Sequence, residues 1–462
     1  MTACRRFFQT ILILIIMNIA GVRAALNSLL SSYASADERG SLVLLLLRIS
    51  FYVVLMLLLL TMEILPCYEK GLGFRLQLLA GGYEIILISI YALLAEIGLL
   101  ILTAWRLDIF TQPGAYPLFW INLGIAYFVL LFHYLNGFWR TAFCSAQLGV
   151  GRRIVMLFCW WIFPVNLFLF YGWCGVVRRE LLTARNRYLL DAARVENAVC
   201  RTRYPVVMVH GIFFRDWQYM NYWGRIPRAL KRNGAVVYYG KQQSSLAIAD
   251  SAAELKAELE RVLAETGAEK VNIVAHSKGG LDSRYVISKL GMADRVASLT
   301  TINTPHRGCQ FADALLGSLP GWLIDFAAKR YNKLFAMLGD EQPDFLAGVT
   351  DLTAGACARF NEEVTDAPGV YYQSIMSKMR NFTSAFFPLS LSYLLAKKYE
   401  GENDGLVSVS SAVWGNYLGL LSAGRKGISH ADMIDLTHKD IKGFDVSEFY
   451  VGLFAGLKEK GF

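Results

Sequence analysis

The 462-residue chain has no CxxC pair, and its eight cysteines follow no regular spacing. That pattern offers neither a disulfide framework nor a zinc site. Five of the cysteines precede residue 178 and three follow it, and they read as small buried apolar side chains. Internal repeats and low-complexity segments are missing, which sets aside solenoids and disordered tails. The chain is basic, with net charge +9 and a pI near 9.0. No aromatic-rich basic module accompanies that charge, so nucleic acid is not an expected partner. Histidine is scarce: six residues, at 133, 210, 276, 306, 430 and 438, are the whole supply for a histidine base.

What the chain has in excess is apolar length. Hydrophobic residues make up 55% and the mean hydropathy is +0.37, concentrated before residue 178. Five apolar runs stand out, at 7–22, 42–61, 85–105, 118–138 and 154–177. A spanning helix needs about 20 mostly apolar residues, which the last four supply. The first run follows Arg5 and Arg6 and ends near Val22-Arg23-Ala24, so it reads as a signal peptide or as an uncleaved first anchor. Two charges interrupt the spans. Arg48 lies near a helix start and can snorkel, while Glu96 lies mid-span and calls for a polar partner, with Arg48 the candidate.

Sidedness is contested. With a cytoplasmic start, the short inside segments carry seven basic residues: Arg5, Arg6, Lys70, Arg75, Arg140, Arg152 and Arg153. The outside segments carry three, Arg23, Arg39 and Arg106. The positive-inside rule favours that orientation, and five spans then place the C-terminal half in the periplasm of a bacterial inner-membrane protein. Seven arginines between residues 178 and 203, against Glu180, Asp191 and Glu196, pull the other way and leave the cytoplasmic side open.

From Tyr204 the texture changes. "YPVVMVHG", "GAVVYYG", "KVNIVAHS", "VASLTTINTP" and "GVYYQSI" read as short β-branched strands. "SAAELKAELERVLAETGA" reads as an amphipathic helix through Leu255, Leu259, Val262 and Leu263. Alternating strands and helices imply a mostly parallel sheet with helices on both faces. The expected organisation is a transmembrane region of about five helices over 1–177, an Arg-rich linker over 178–203 and an α/β domain over 204–462.

Ala275-His276-Ser277-Lys278-Gly279 has the G-x-S-x-G pattern, with alanine at the first small position. A strand precedes it and the helix "GLDSRYVISKL" follows, which is the context of a nucleophile on a sharp turn rather than of a helix-capping serine. Such a serine needs a base and an orienting acid, in chain order Ser, acid, His. His133 falls in a span, and His210, His276 and His306 sit inside other motifs. His430, in "GISHADMID", follows a Gly-rich stretch as a loop-borne base should; His438 beside Lys439 reads as a surface residue. Asp404, in "GENDGLVSVSSA", is the acid between them, although Asn-Asp-Gly alone is a plain turn. The oxyanion hole needs two backbone N–H groups. Lys278 supplies one, and Ile212, in "VHGIFF" after His210 and Gly211, the other.

Five blocks, "VMVHGIFF", "NYWGRIPRALKRNGAVVYYG", "AETGAEKVNIVAHSKGGLDSRYV", "VASLTTINTPHRG" and "GENDGLVSVSSAVWG…ISHADMID", together resemble the bacterial true lipases of the α/β-hydrolase superfamily. The resemblance covers most of 204–440 and implies an α/β-hydrolase fold and an ester hydrolase acting on acyl lipids. It assigns the nucleophile, acid and base to Ser277, Asp404 and His430, with His210, Gly211, His276 and Gly279 in the supporting blocks. It also implies a structural calcium in the best-known members, of which Asp432 would be one ligand. The other carboxylate is missing from "KMRNFTSAFFPLSLSYLLAKKY", so no cofactor is expected. Where some relatives have a cysteine, this chain has Val409 or Ser410, so their disulfide is not expected either. Residues 311–340 read as a mobile lid, or else as a packing helix, through Trp322, Leu323, Phe326, Ala327, Leu334, Phe335 and Leu338. The expected substrates are membrane lipids or acylglycerols, met at a bilayer. Rival functions are a phospholipase or acyltransferase with the same triad, and a non-enzymatic membrane protein with a hydrolase-like domain.

Overall fold

The computed structural model describes residues 3–31, 38–107, 116–212, 222–337 and 340–462. The chain divides into two compact units, Met1–Leu189 and Leu190–Phe462.

The first unit is helical: α1 Ala3–Met17, α2 Ile19–Ser31, α3 Glu38–Ile64, α4 Phe74–Leu107, α5 Pro117–Cys144, α6 Gly149–Cys159 and α7 Val165–Arg194, the last running on into the second unit. Among the described residues three helical stretches are long and apolar enough to cross a membrane: Leu45–Ile64, Phe74–Arg106 and Pro117–Cys144. The pair Cys4–Met17 and Ile19–Asn27, bent by 76°, adds a fourth if it is one broken span. The fifth apolar run is not one helix. It breaks between Cys159 and Val165, where Pro164 cannot donate a helical hydrogen bond and disfavours helix at the residue before it. Glu96 is buried and accepts from Asn18 Nδ2 at 2.7 Å, at the bend between α1 and α2, so the polar partner observed for it is Asn18 and not the expected Arg48.

The second unit follows the expected alternation. Its elements are β1 Val206–Val209, α8 Ile226–Arg232, β2 Val237–Tyr239, α9 Ile248–Thr266, β3 Val271–His276, α10 Lys278–Lys289, β4 Val296–Ile302, α11 Gln310–Ser318, α12 Gly321–Met337, α13 Phe345–Thr350, α14 Ala354–Glu363, β5 Tyr371–Ser377, α15 Leu389–Glu400, α16 Val409–Ala412, β6 Asn416–Leu421 and α17 Val446–Glu459. The strands form one sheet in the order β2-β1-β3-β4-β5-β6, and every pairing is parallel. Parallel strands are covered on both faces, and the alternation along β1 shows how. Val206 and Met208 join a core with Trp223, Ile226, Tyr450 and Phe454 from α8, α17 and the turn before α8. Val207 and Val209 point the other way, into a core with Leu255, Leu259, Val262 and Val286 from α9 and α10. The strands β1, β3 and β4 are buried throughout, so their carboxyl ends deliver loops to one rigid sheet edge.

Candidate active site

Ser277 occupies the single residue between β3 and α10, with φ 53° and ψ −131°. A non-glycine residue at positive φ is strained, and such strain concentrates at functional sites. Here Ser277 N–H donates to Ile302 O of the neighbouring strand at 2.9 Å, and Gly280 N–H returns to Ser277 O at 3.0 Å. The turn is crowded. A Cβ on Gly279 would lie 2.3 Å from His210 O, and one on Gly211 would lie 2.7 Å from Ser277 Cβ. Both positions therefore require glycine, which lets the loop after β1 press against the serine.

Asp404 is fully buried, yet its carboxylate is satisfied by four donors. Oδ1 accepts from Leu406 N–H at 2.9 Å and Val407 N–H at 2.8 Å. Oδ2 accepts from Asn303 Nδ2 at 2.6 Å and His430 Nδ1 at 2.7 Å. His430 is tied a second time, through its backbone N–H to Asp404 O at 2.8 Å. Donation from Nδ1 leaves Nε2 with the lone pair, the form a general base needs. The His430 ring lies 4.4 Å, centroid to centroid, from the ring of His276, the residue before Ser277. The three triad candidates are thus carried by three loops gathered at the sheet edge.

The loop of the expected oxyanion hole is held from several sides. His210 Nδ1 meets Gly211 O at 2.9 Å and Nε2 meets Gln242 O at 2.9 Å, while Gln242 Nε2 donates back to His210 O at 3.0 Å. Ile212 is buried beside them; Phe213 and Phe214 of "VHGIFF" lie outside the described residues. Lys278 opens α10, where the first N–H groups of a helix have no intrahelical acceptor and the dipole favours an anion.

Several residues that matter to this geometry were not singled out in the sequence. Asn303, at φ 50°, ends β4 and is pinned by Ser377 through both atoms of its amide: Nδ2 donates to Oγ at 2.8 Å and Oδ1 accepts from N–H at 2.9 Å. Its place in "TINTP", where a strand stops at asparagine before proline, was the available signal. Tyr222, in the block "NYWGRIP", accepts from Gly211 N–H at 3.1 Å and bonds His276 Nδ1 at 2.7 Å. Burial, and then the neighbouring His430, hold His276 well below the usual imidazole range, so it is neutral and shares a single hydrogen bond with the tyrosine hydroxyl through Nδ1. The Lys278 side chain forms a buried ion pair with Asp282 at 2.8 Å and donates to Ser251 Oγ at 2.8 Å. Burial pushes the Asp282 carboxyl up to about 6 against the pull of that ammonium.

Asp432, the ligand that the resemblance offers for calcium, is engaged within the protein. Its Oδ2 accepts from the N–H of Ser429 at 2.9 Å and from Ser429 Oγ at 2.7 Å, bonds that brace the turn around His430. Among the described residues, no group of three or more His, Cys, Asp or Glu side chains is placed to hold a metal. All eight cysteines carry free thiols. Residues 311–340 contain α11 and α12, with Leu338 outside the described residues. One face of α12 is packed through Ala328 and Phe335, whose ring lies near Tyr331 and Phe345. The opposite face exposes Trp322, Phe326, Leu334 and Met337 at helical spacing.

Comparison with known proteins agrees with this architecture. A family model described as alpha/beta hydrolase fold matches residues 204–412. A triacylglycerol lipase of Vibrio cholerae is 32% identical over 258 residues, which cover 51% of this chain and 80% of the relative. A triacylglycerol lipase of Burkholderia plantarii is 36% identical over 188 residues, and one of Pseudarthrobacter phenanthrenivorans is 37% identical over 178 residues. The chain spans 52% and 55% of those two relatives. Among solved structures, the mature Bacillus licheniformis lipase BlEst2 aligns at 24% identity and a TM-score of 0.40, covering 54% of this chain and 91% of that one. The family model and the Vibrio cholerae relative, covered over 80% of its length, place the chain in the lipase family of the α/β-hydrolase superfamily, and by that membership it is a carboxylic ester hydrolase.

Proposed function

We propose that the protein is a membrane-anchored serine hydrolase of acyl lipids, working through Ser277, His430 and Asp404. The observation that carries this reading is the 2.7 Å contact from His430 Nδ1 to a fully satisfied Asp404 carboxylate, on a loop beside the strained Ser277 turn. His430 Nε2 takes the Ser277 proton as Oγ attacks the acyl carbonyl. The N–H groups of Ile212 and Lys278 receive the oxyanion. Collapse expels the alcohol, which takes its proton from His430, and leaves an acyl-enzyme. Water, activated by the same histidine, then releases the fatty acid.

Two features favour a lipid substrate. The apolar stripe of α12 suits contact with acyl chains or a lipid surface. The apolar helices of the first unit, if embedded, hold the enzyme at a bilayer and raise its local concentration there. On this reading the substrate is a membrane acyl lipid or an acylglycerol. Purified protein in detergent should hydrolyse p-nitrophenyl acyl esters, and Ser277→Ala should lower kcat by several orders of magnitude. Wild-type rates in Ser277→Ala would remove the serine from the mechanism.

A further inference from the structure

The fifth apolar run leaves and rejoins the first unit at one place. Glu180, fifteen residues into α7 from Val165, is buried. Its carboxylate accepts from Ser145 Oγ at 2.6 Å, Ala146 N–H at 3.2 Å and Gln147 N–H at 3.3 Å, the residues just before α6. Arg75, in the first turn of α4, reaches both Glu180 Oε1, at 2.7 Å, and the carbonyl of Cys144. The end of α5, the start of α4, the start of α6 and residue 180 therefore share one end of the bundle. Trp173 Nε1 donates to Thr141 Oγ1 at 3.0 Å, so α7 approaches that end alongside the last turns of α5. The excursion between is short. α6 has 11 residues, about 16 Å of helix, roughly half of the ~30 Å hydrocarbon core.

The same end is where α1 begins. Arg6 pairs with Glu84 at 2.6 Å and Asn18 with Glu96 at 2.7 Å, so α1 runs parallel to α4. Ala20 N–H then reaches Asn122, near the start of α5 at the opposite end. α3 returns, its Glu63 meeting His133, Asn136 and Arg140 on the last turns of α5.

We propose that residues 149–177 form a hairpin that dips into the membrane and returns to the face it left, so that the chain crosses four times and its catalytic half lies on the cytoplasmic side, with the start of α1. Four crossings remove the charge conflict in the sequence. The seven basic residues of the short inside segments are joined by Arg178 and Arg179 on one face, against Arg23, Arg39 and Arg106 on the other. Arg152 and Arg153, at the start of α6, and Arg178 and Arg179, just past residue 177, stand at the two ends of the hairpin as interfacial anchors. The inference rests on the membrane-anchored reading above and deepens it: the acyl lipids within reach are those of the cytoplasmic leaflet.

The test uses the full chain with Cys4→Ser as background. Lys460 and Arg106, both exposed, are changed singly to cysteine and treated with a membrane-impermeant maleimide in spheroplasts. The four-crossing arrangement predicts that Arg106→Cys labels at once and Lys460→Cys only after permeabilisation. Labelling of Lys460→Cys in sealed spheroplasts overturns it and restores a fifth crossing. Alkaline carbonate extraction separates the two claims: a chain released from the membrane refutes the anchoring itself, whereas a retained chain with an accessible Lys460→Cys refutes only the hairpin.

Discussion

Asp404→Asn is the most instructive single change, because the substitution keeps shape and alters only which groups donate. The Asp404 carboxylate accepts four hydrogen bonds, two at each oxygen. An amide has one acceptor oxygen and one NH2. If the oxygen stands at the Oδ1 position, the bonds from Leu406 and Val407 survive, but the NH2 faces the Asn303 amide and the His430 Nδ1–H. Asn303 cannot turn its amide over, because its oxygen already accepts from Ser377 N–H and its NH2 already donates to Ser377 Oγ. His430 can relieve its clash by moving its proton to Nε2, but that occupies the lone pair needed for the serine proton. In the reverse orientation the NH2 faces two backbone N–H groups. With that proton moved, the first orientation loses one buried bond, to Asn303, and the reverse loses two, so the first is favoured by about 1–3 kcal/mol, the cost of one group left unpaired. The wrong tautomer should lower kcat by about 10³–10⁴, equivalent to roughly 4–5.5 kcal/mol of barrier. The assay compares kcat and KM on p-nitrophenyl acyl esters for wild type, Asp404→Asn and Asp404→Ala, with thermal unfolding as the folding control. A folded Asp404→Asn enzyme that keeps more than about a tenth of wild-type kcat would refute the reasoning, since a donor at that position should disable the base.

Other outcomes follow from the same geometry. Tyr222→Phe removes the oxygen that joins Gly211 N–H to His276; kcat should fall about tenfold with KM little changed, the effect of about one lost buried hydrogen bond beside the oxyanion loop. An unchanged kcat would show that the bridge does not position that loop. His276 and His306 are buried and held well below the usual imidazole range, so the unfolded chain binds protons near pH 6.5 that the folded chain does not. Stability should therefore fall as pH drops below 6.5. Asp282, raised to about 6, acts with the opposite sign, adding stability as pH falls through that value. The net loss between pH 7.5 and 5.5 should be about 2 kcal/mol. Residual activity after a graded urea challenge at the two pH values, assayed at one pH, measures it; a midpoint no lower at pH 5.5 would contradict the buried neutral histidines.

The legible part of the fold was the part with strong local periodicity. The five β-branched runs and the helix through Leu255 and Leu259 are present as β1–β5 and α9. The sixth strand, "NYLGLL", was not read, because it is an edge strand with a mid-strand Gly419 and only half-buried alternate residues. In the membrane half, hydropathy measured apolar length but not continuity: 154–177 is apolar enough throughout, and only Pro164 hinted at the break. In the site, spacing and chain order nominated Ser277, Asp404 and His430, and the structure carries them on loops at one sheet edge. Asn303, Tyr222 and Ser251 were not visible because their partners lie far off in sequence and are brought near by sheet order alone. Lys278 was read only for its backbone, since nothing local marks a lysine as buried against Asp282.

The claim on which the rest depends is that Ser277 is the nucleophile. Labelling by a fluorophosphonate probe, with the modified peptide identified by mass spectrometry, tests it most directly. The account predicts one adduct, on Ser277, which is abolished by Ser277→Ala. Wild-type protein that is folded yet unlabelled, or labelling that survives Ser277→Ala, would contradict it.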